Sequence, residues 1–289
     1  MVNYLSIAHT SIWKQPTSSA TIGYKKEASL RVVRFAAQGK VKYGRLEGNI
    51  IHCFRGSPLV HFKGHDSSFT LDGSTYELGQ VRLLAPCTPS KIACLGLNYR
   101  SHAEETGLPI PSVPLIFLKP STAIIGPEDE IILPSSSRRV DYEGELGMVI
   151  GKKAKDVPQN QARDYVLGYT CFNDVTERHI QKEDGQWTRA KGFDTFAPMG
   201  PWIETEVSPD DLKLETYFNG ELRQSVRTSD LIFDIAEMVS FISSVMTLLP
   251  GDVIASGTPV GIGHMNPGDV VEVRIEKIGN LRNSVVGQN

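Results

Sequence analysis

The sequence of 289 residues predicts a mixed α+β fold dominated by β-strands, and two observations support this prediction. Short apolar or alternating runs bounded by turn residues recur along the chain and predict strands, for example in 31–35, 49–54, 75–84, 201–208, 253–256 and 271–275. Amphipathic helical patterns are fewer, and the clearest follows a candidate capping box formed by Asp234 and Glu237. Strands therefore outnumber helices in the predicted order of elements.

Composition and charge exclude several function classes. The chain is 40% hydrophobic and 22% charged, with a net charge of -3, as expected of a globular protein without a nucleic-acid-binding surface. No apolar run approaches the length of a membrane span. The four cysteines (Cys53, Cys87, Cys94 and Cys171) lack Cys-x-x-Cys spacing, which indicates reduced thiols and a cytoplasmic location.

The chain divides into three parts at the sequence level. Residues 1–29 are rich in Ser and Thr with a mild excess of Lys. A transit peptide is conceivable, but the lack of Arg before Arg31 favours an adventitious extension. Residues 30–86 predict a small β-rich domain, which the Pro-containing linker 85–90 joins to a main domain over 91–287. The histidines of the small domain, His52, His61 and His65, are interpreted as surface or packing residues.

The acidic segment 141–150 is the most informative stretch. In a strand, Asp141, Glu143 and Glu145 share one face, whereas Tyr142 and the apolar residues after it share the other. Carboxylates in so apolar a strand are costly if they are buried without partners, and Mg²⁺ or Mn²⁺ would offset that cost. A solvent-exposed edge face is the alternative, and the spacing alone leaves both interpretations open.

A second candidate site lies in the predicted helix 98–107, which ends at a glycine. His102 and Glu105 are three residues apart and share a helical face, where a carboxylate would orient an imidazole as a general base. From spacing alone, a surface pair is the better interpretation. Residues 108–114 follow Gly107, contain Pro and Ser, and could form a lid.

Four further segments contain polar candidate residues. Lys119 ends an apolar run and meets either an anionic ligand or solvent. Asp174 is either the N-cap of a helix over 175–182, paired with Glu177, or a third oxygen ligand. The polar stretch 187–194 predicts a loop that lines a site. The glycine-rich loop beginning at Gly257 either presents N–H groups and the Thr258 hydroxyl to a carboxylate or is a plain turn.

Together these segments resemble the fumarylacetoacetate hydrolase superfamily from about residue 91 to residue 286. Six motifs in order carry the resemblance: Gly-Leu-Asn-Tyr-Arg-Ser-His-Ala-Glu-Glu, Phe-Leu-Lys-Pro, Asp-Tyr-Glu-Gly-Glu-Leu, Phe-Asn-Asp-Val, Trp-Thr-Arg-Ala-Lys-Gly-Phe-Asp and Ser-Gly-Thr-Pro-Val-Gly-Ile-Gly. Residues 31–84 are similar to the small N-terminal domain of the bacterial isomerase/hydrolase branch. The resemblance implies a β-sandwich roll with packed helices and a homodimer.

The resemblance also assigns roles to residues. It implies that Glu143, Glu145 and Asp174 bind Mg²⁺ or Mn²⁺, that His102 and Glu105 form a catalytic dyad, and that Lys191 contacts the substrate or the attacking water. Thr258 matches the residue that holds the substrate carboxylate. The other expected substrate contacts are Arg178, Gln181, Gly257, Tyr99 and Lys119. Residues 177–180 depart from the Ala-Arg-Asp-Leu of many relatives, which bears on substrate choice.

The implied function is a divalent-metal-dependent hydrolase that cleaves a C–C bond of 2,4-dioxo acids, of acylpyruvate or fumarylpyruvate type, through a metal-stabilised pyruvate enolate. The alternatives are oxaloacetate decarboxylase and 2-hydroxyhepta-2,4-diene-1,7-dioate isomerase, followed by a sugar-acid hydrolase or lyase and a non-catalytic metal-dependent binding protein. We expect a small 2-oxo acid as the partner, and neither nucleic acid nor membrane.

Overall fold

A computed structural model describes residues 30–61, 69–107 and 109–288. The described chain is dominated by strands, which confirms the predicted α+β class. The strands of the first half are β1 Arg31–Ala37, β2 Lys40–Glu47, β3 Ile50–Phe54, β4 Leu71–Glu77, β5 Arg82–Leu83, β6 Ile92–Gly96, β7 Leu115–Lys119, β8 Ile124–Ile125, β9 Ile131–Leu133, β10 Val140–Tyr142 and β11 Gly144–Ile150. Those of the second half are β12 Val166–Asn173, β13 Thr176–Glu177, β14 Ala197–Glu204, β15 Lys213–Phe218, β16 Glu221–Arg227, β17 Val253–Ala255, β18 Gly263–His264, β19 Val270–Ile275 and β20 Gly279–Gly287.

The helices are short. The α-helices are α1 Pro58–His61, α2 Arg100–Thr106, α3 Arg178–Asp184, α4 Thr188–Lys191 and α5 Ile235–Val245, and 3₁₀ turns occupy Leu78–Gln80, Ser121–Ala123, Gln159–Tyr165 and Thr228–Asp230. The predicted capping box of α5 is confirmed, because Asp234 and Glu237 each accept a hydrogen bond from the other's backbone N–H at 2.9 Å. Within the described ranges, no helix is both long enough and apolar enough to cross a bilayer.

One large sheet positions the acidic strand at its centre. Its strand order is β4-β3-β2-β1-β14-β12-β11-β17-β6-β7. β11 pairs antiparallel with β12 on one side and with β17 on the other. All seven residues of β11 are buried, so both faces of this strand are covered.

A second, five-stranded sheet covers part of the large one, in the order β16-β15-β19-β20-β9. Apolar side chains of β11, β15, β19 and α5 form one core cluster, to which Leu146, Leu214, Val273 and Met238 belong. β10, which precedes β11 in the chain, belongs to a separate small sheet with β13 and β18. This packing of two sheets with helices around them matches the predicted sandwich roll.

The N-terminal strands are continuous with the large sheet. β1 pairs antiparallel with β14, with Val32 opposite Ile203, and Val32 and Phe54 share a buried cluster with residues of β6, β11 and β14. The extension 1–29, His65 and the His61 side chain lie outside the described residues. His52 is half-buried, with its Nε2 atom 3.4 Å from Glu47, in agreement with a packing role.

Two predicted strand boundaries are wrong. The strand expected over 201–208 is β14 at Ala197–Glu204, because its start pairs with β8 and its remainder with β12. The strand expected over 75–84 ends at Glu77, where a 3₁₀ turn begins. In both places the pairing partner, which is distant in sequence, sets the boundary.

Candidate active site

The acidic segment spans a break between two sheets. β10 ends at Tyr142 and β11 begins at Gly144, so Glu143 lies at the junction. Its N–H donates to Asn173 Oδ1 at 2.9 Å, and its carbonyl oxygen accepts from the Asp174 N–H at 2.8 Å. These bonds hold Glu143 and Asp174 side by side at the ends of paired strands.

Glu143, Glu145 and Asp174 form a buried carboxylate cluster. One oxygen of each lies within 4.8 Å of the others, and the residues are 6%, 1% and 1% exposed. The solvent-exposed edge face considered for this segment is therefore wrong. Three converging carboxylates offer the oxygen ligands that hard divalent cations prefer, so the donor set fits Mg²⁺ or Mn²⁺.

Buried Lys and Arg side chains balance most of the negative charge of the carboxylate cluster. Lys191 Nζ donates to Glu143 Oε2 at 2.8 Å and to Asp174 Oδ2 at 2.5 Å. Lys119 Nζ donates to Asp174 Oδ1 at 2.5 Å, and Arg178 contacts Glu143 and, at 2.9 Å, Asp141. Such pairing is what allows carboxylates to remain ionised away from water.

The three carboxylates are not equivalent. Burial alone would raise the pKa of Glu143, but Arg178 and Lys191 outweigh burial and lower this pKa to about 2. Burial raises the pKa of Glu145 well above its ordinary value, and the Asp174 and Glu143 carboxylates raise it further. Glu145 accepts from the Gly257 N–H at 2.8 Å, and no Lys or Arg among the described residues forms an ion pair with it. A bound dication would supply the countercharge that Glu145 lacks.

Asp174 is part of this cluster and does not cap a helix. α3 begins at Arg178, three residues later than predicted, and its N-cap is Glu177, whose Oε2 accepts from the Ile180 N–H at 2.5 Å. The capping prediction for Asp174 is wrong because β13 extends the chain up to Glu177. Asp174 is left with Lys119 and Lys191 as its partners.

Glu143 and Glu145 of the cluster line a cavity of about 570 Å³, whereas Asp174 is not among its lining residues. Of the sequence-predicted residues, the lining includes Glu143, Glu145, Arg178, Gln181, Lys191 and Thr258. The stretch 187–194, predicted as a loop, contains the short helix α4, which places Trp187 and Lys191 in the cavity wall. The ring centroids of Trp187 and Phe117 are 5.2 Å apart, and these rings form an apolar wall.

Three predicted substrate contacts do not line this cavity. Tyr99 precedes α2 and pairs with Leu231 in an isolated antiparallel bridge. Its side chain is completely buried in the core. Lys119 is 1% exposed and lies behind Asp174, so its anionic partner is a carboxylate of the protein. Gly257 contributes its N–H to Glu145.

The Thr258 hydroxyl belongs to a buried hydrogen-bond network that the sequence analysis missed. Thr258 Oγ1 donates to the Gly144 carbonyl at 3.0 Å and accepts from Gln224 Nε2 at 2.9 Å. Gln224 Oε1 in turn accepts from the Gly144 N–H at 3.0 Å. Gln224 lies on β16 of the other sheet, and no local motif points to its role.

His102 and Glu105 lie on α2, which ends at Gly107 in the left-handed conformation, as the sequence predicts. Their side chains, and Leu108 at the start of the predicted lid, are outside the described part of the chain. The catalytic dyad therefore stays a prediction.

The family profile described as fumarylacetoacetate (FAA) hydrolase C-terminal matches residues 91–286. The chain belongs to the fumarylacetoacetate hydrolase family. A second profile, described as Rv2993c-like, N-terminal, matches residues 30–86.

Relatives of this family cover most of the chain. Protein Rv2993c of Mycobacterium tuberculosis is 53% identical over 260 residues, which is 89% of this chain and 98% of the relative. The rat protein named oxaloacetate tautomerase Fahd2a, mitochondrial, is 41% identical over 219 residues, covering 72% of this chain and 70% of the relative.

Solved structures of the family share the fold. A protein described as 5-carboxymethyl-2-hydroxymuconate delta-isomerase from Mycobacterium smegmatis has a TM-score of 0.82 at 45% identity, covering 89% of this chain and 100% of its own. Maleylpyruvate hydrolase from Sphingobium sp. SYK-6, solved with manganese(II) and pyruvate, has a TM-score of 0.75 at 30% identity, covering 90% and 100%.

Proposed function

We propose that this protein is a metal-dependent enzyme of small 2-oxo acids that hydrolyses a C–C bond of 2,4-dioxo acids of acylpyruvate or fumarylpyruvate type. The observation that carries the proposal is the buried cluster of Glu143, Glu145 and Asp174, with Lys191 in contact, beside a cavity of about 570 Å³ that Glu143, Glu145 and Lys191 line. A cavity of this size accommodates a small organic acid.

The three carboxylates would hold Mg²⁺ or Mn²⁺, and the manganese(II) and pyruvate in the related maleylpyruvate hydrolase support this assignment. A divalent ion there supplies Lewis-acid stabilisation of negative charge that develops on the 2-oxo oxygen. The raised pKa of Glu145 indicates a carboxylate that lacks a countercharge, which is what such an ion provides.

The protein's own residues position the substrate and move the proton. Thr258 and Lys191 line the cavity beside the carboxylates and would hold the substrate for attack. In the hydrolysis, the His102–Glu105 pair takes a proton from water, and the hydroxide adds to the C4 carbonyl. The C3–C4 bond then breaks, the acyl half leaves as a carboxylic acid, and C3 of pyruvate gains a proton.

A second candidate is proton transfer without hydrolysis, namely keto–enol tautomerisation or double-bond isomerisation of a dicarboxylic 2-oxo acid. Two relatives carry names of this type, the rat oxaloacetate tautomerase at 41% identity and the mycobacterial delta-isomerase at 45%. Both are more similar to this chain than the maleylpyruvate hydrolase at 30%. This chemistry would use the same carboxylates and needs no attacking water.

The deciding experiment measures pyruvate release from acetylpyruvate and fumarylpyruvate with Mg²⁺ or Mn²⁺, alongside decay of the enol absorbance of oxaloacetate. We expect pyruvate release that EDTA abolishes and added metal restores. Enol decay accelerated by the protein, with no pyruvate from either dioxo acid, would replace the hydrolase with the tautomerase.

The variant His102→Ala tests the general base in the same assay. We expect hydrolysis to fall about 10²–10⁴-fold, because that is the usual contribution of a general base, with unchanged Mn²⁺ binding in calorimetry. Glu104→Gln is the matched control, since Glu104 lies on the same helix but is exposed. An unchanged hydrolysis rate in His102→Ala would exclude the dyad.

A further inference from the structure

Basic residues line the mouth of the cavity. Arg139 precedes β10, and His179 and Lys182 lie three residues apart on α3, so they share a helical face. His179 and Lys182 are exposed and line the cavity together with Arg178 and Gln181 of the same helix. One short helix thus supplies most of this rim.

The charges around the cavity do not balance for a substrate with a single carboxylate. Four Lys or Arg side chains line the cavity against three carboxylates, and these residues are Arg139, Arg178, Lys182 and Lys191 against Asp141, Glu143 and Glu145. A divalent cation raises the excess to three positive charges. One substrate carboxylate leaves two of these charges, and a second anionic group brings the site closer to neutrality.

The uncompensated cation lies at the mouth. Arg139 donates to both oxygens of Asp141 at 2.9 and 3.3 Å, and Arg178 is committed to Asp141, Glu143 and Gln181. The Lys182 side chain, by contrast, forms no hydrogen bond or ion pair with any described residue. His179 likewise makes no hydrogen bond within the described ranges, and its ring borders the same opening.

We propose that the rim formed by Lys182 and His179 is a subsite for a second anionic group at the far end of the substrate. The preferred substrate is then a dicarboxylic 2-oxo acid, with its 2-oxo acid end at the carboxylate cluster and its carbon chain along the wall of Phe117 and Trp187. This inference rests on the proposed binding of a 2-oxo acid at the cluster. Lys182 and His179 are specificity-determining residues in it.

The test compares two substrates that differ in the distal carboxylate. Lys182→Gln should raise KM for fumarylpyruvate roughly tenfold, since a hydrogen bond to a charged group is typically worth that factor. The KM for acetylpyruvate, which has no distal carboxylate, should stay unchanged. The double variant Lys182→Gln/His179→Gln should lose more of the preference for fumarylpyruvate over acetylpyruvate than Lys182→Gln alone. Lys153→Gln removes an exposed lysine outside the cavity and serves as the matched control. An equal change for both substrates, or none for either, would overturn the proposal.

A binding measurement separates this proposal from the proposed function. Calorimetry on the Mg²⁺-loaded protein compares pyruvate with 2-oxoglutarate, which share the 2-oxo acid group but differ in a second carboxylate. We expect tighter binding of 2-oxoglutarate, weakened by Lys182→Gln and by added salt. Equal affinity for both acids, insensitive to Lys182, would overturn the rim subsite alone. Binding of neither acid would overturn the 2-oxo acid site itself, and the rim subsite with it.

Discussion

Behind Asp174, the fully buried ammonium group of Lys119 carries a charge that the carboxylate cluster needs. Its Nζ donates to Asp174 Oδ1 at 2.5 Å and to the Val175 carbonyl at 2.9 Å. Burial lowers the pKa of Lys119 despite the opposing effect of Asp174. The pair therefore stabilises the fold only while both partners remain, because a single buried charge is costly.

The variant Lys119→Met should lower the free energy of unfolding by about 3–5 kcal/mol in EDTA, the usual cost of breaking a buried ion pair. Mg²⁺ or Mn²⁺ should recover part of the loss, because a bound dication compensates the extra negative charge at Asp174. Thermal unfolding with and without metal measures both effects. The metal-dependent rise in Tm should be larger in the variant than in the parent protein.

The control is Lys91→Met, which breaks the 2.5 Å pair between Lys91 and Asp252 away from the cluster. This variant should also lose stability, but metal should raise its Tm no more than that of the parent. A Lys119→Met protein as stable in EDTA as the parent would show that the Lys119–Asp174 ion pair does not stabilise the fold.

At the level of single residues, the alternation of side chains along a strand predicts that Asp141, Glu143 and Glu145 lie on one face. All three of these residues line the cavity. The same reasoning does not place Tyr99 or Lys119. Whether a side chain ends in the cavity or in the core depends on strands distant in sequence, such as β12, which carries the chain to Asp174.

Among the elements, β16 reaches from the second sheet to the site through Gln224. This side chain, 1% exposed, bonds the Gly144 N–H, the Thr258 hydroxyl and the Pro259 carbonyl at 2.9–3.0 Å. It thereby fixes the distance between β11, which carries Glu145, and the loop of Thr258. Gly144 must lack a side chain here, because a Cβ atom would overlap Thr216 Oγ1.

Gln224→Met should raise KM for a 2-oxo acid roughly tenfold, as for loss of a strong hydrogen bond, because Thr258 loses its orientation. Mn²⁺ affinity should change little, because the hydrogen bonds of the Gln224 side chain go to Gly144, Thr258 and Pro259 and not to the Glu143, Glu145 or Asp174 carboxylates. The double variant Gln224→Met/Thr258→Val should have the same KM as Thr258→Val alone. A double-mutant cycle from steady-state kinetics measures this coupling. Fully additive effects would show that Gln224 acts through the general stability of the fold. Ser225→Ala, an exposed neighbour on β16, is the control.

Elements with local signals were predictable, and elements defined by distant partners were not. The caps of α5 and the end of α2 at Gly107 follow from their own residues. The start of α3 and the break between β10 and β11 do not. Both depend on the small sheet in which β10 pairs with β13 and β18, whose members are far apart in sequence.

Across the whole molecule, the N-terminal strands and the main domain over 91–287 share both a sheet and a core. The proline-containing linker suggested two separable modules, and the family profiles likewise match residues 30–86 and 91–286. Yet β1 pairs with β14, and Phe54 lies in the same buried cluster as Val149 of β11. Composition and turn residues mark a linker, but they carry no information about pairing across it.

A shared core predicts one cooperative unfolding transition for both parts. Phe54→Ala should lower the free energy of unfolding by about 3–5 kcal/mol, the usual cost of removing a buried aromatic ring. Trp187 reports on the cavity and Trp202 on the junction with the N-terminal strands, so single-tryptophan variants follow the two regions separately in urea. In Phe54→Ala, the Trp187 and Trp202 signals should both shift to the same lower urea midpoint. Leu222→Ala, at an exposed site, should change neither midpoint. A shift of the Trp202 signal alone would mean that the N-terminal strands unfold independently, and that the β1–β14 pairing only docks them onto the main domain.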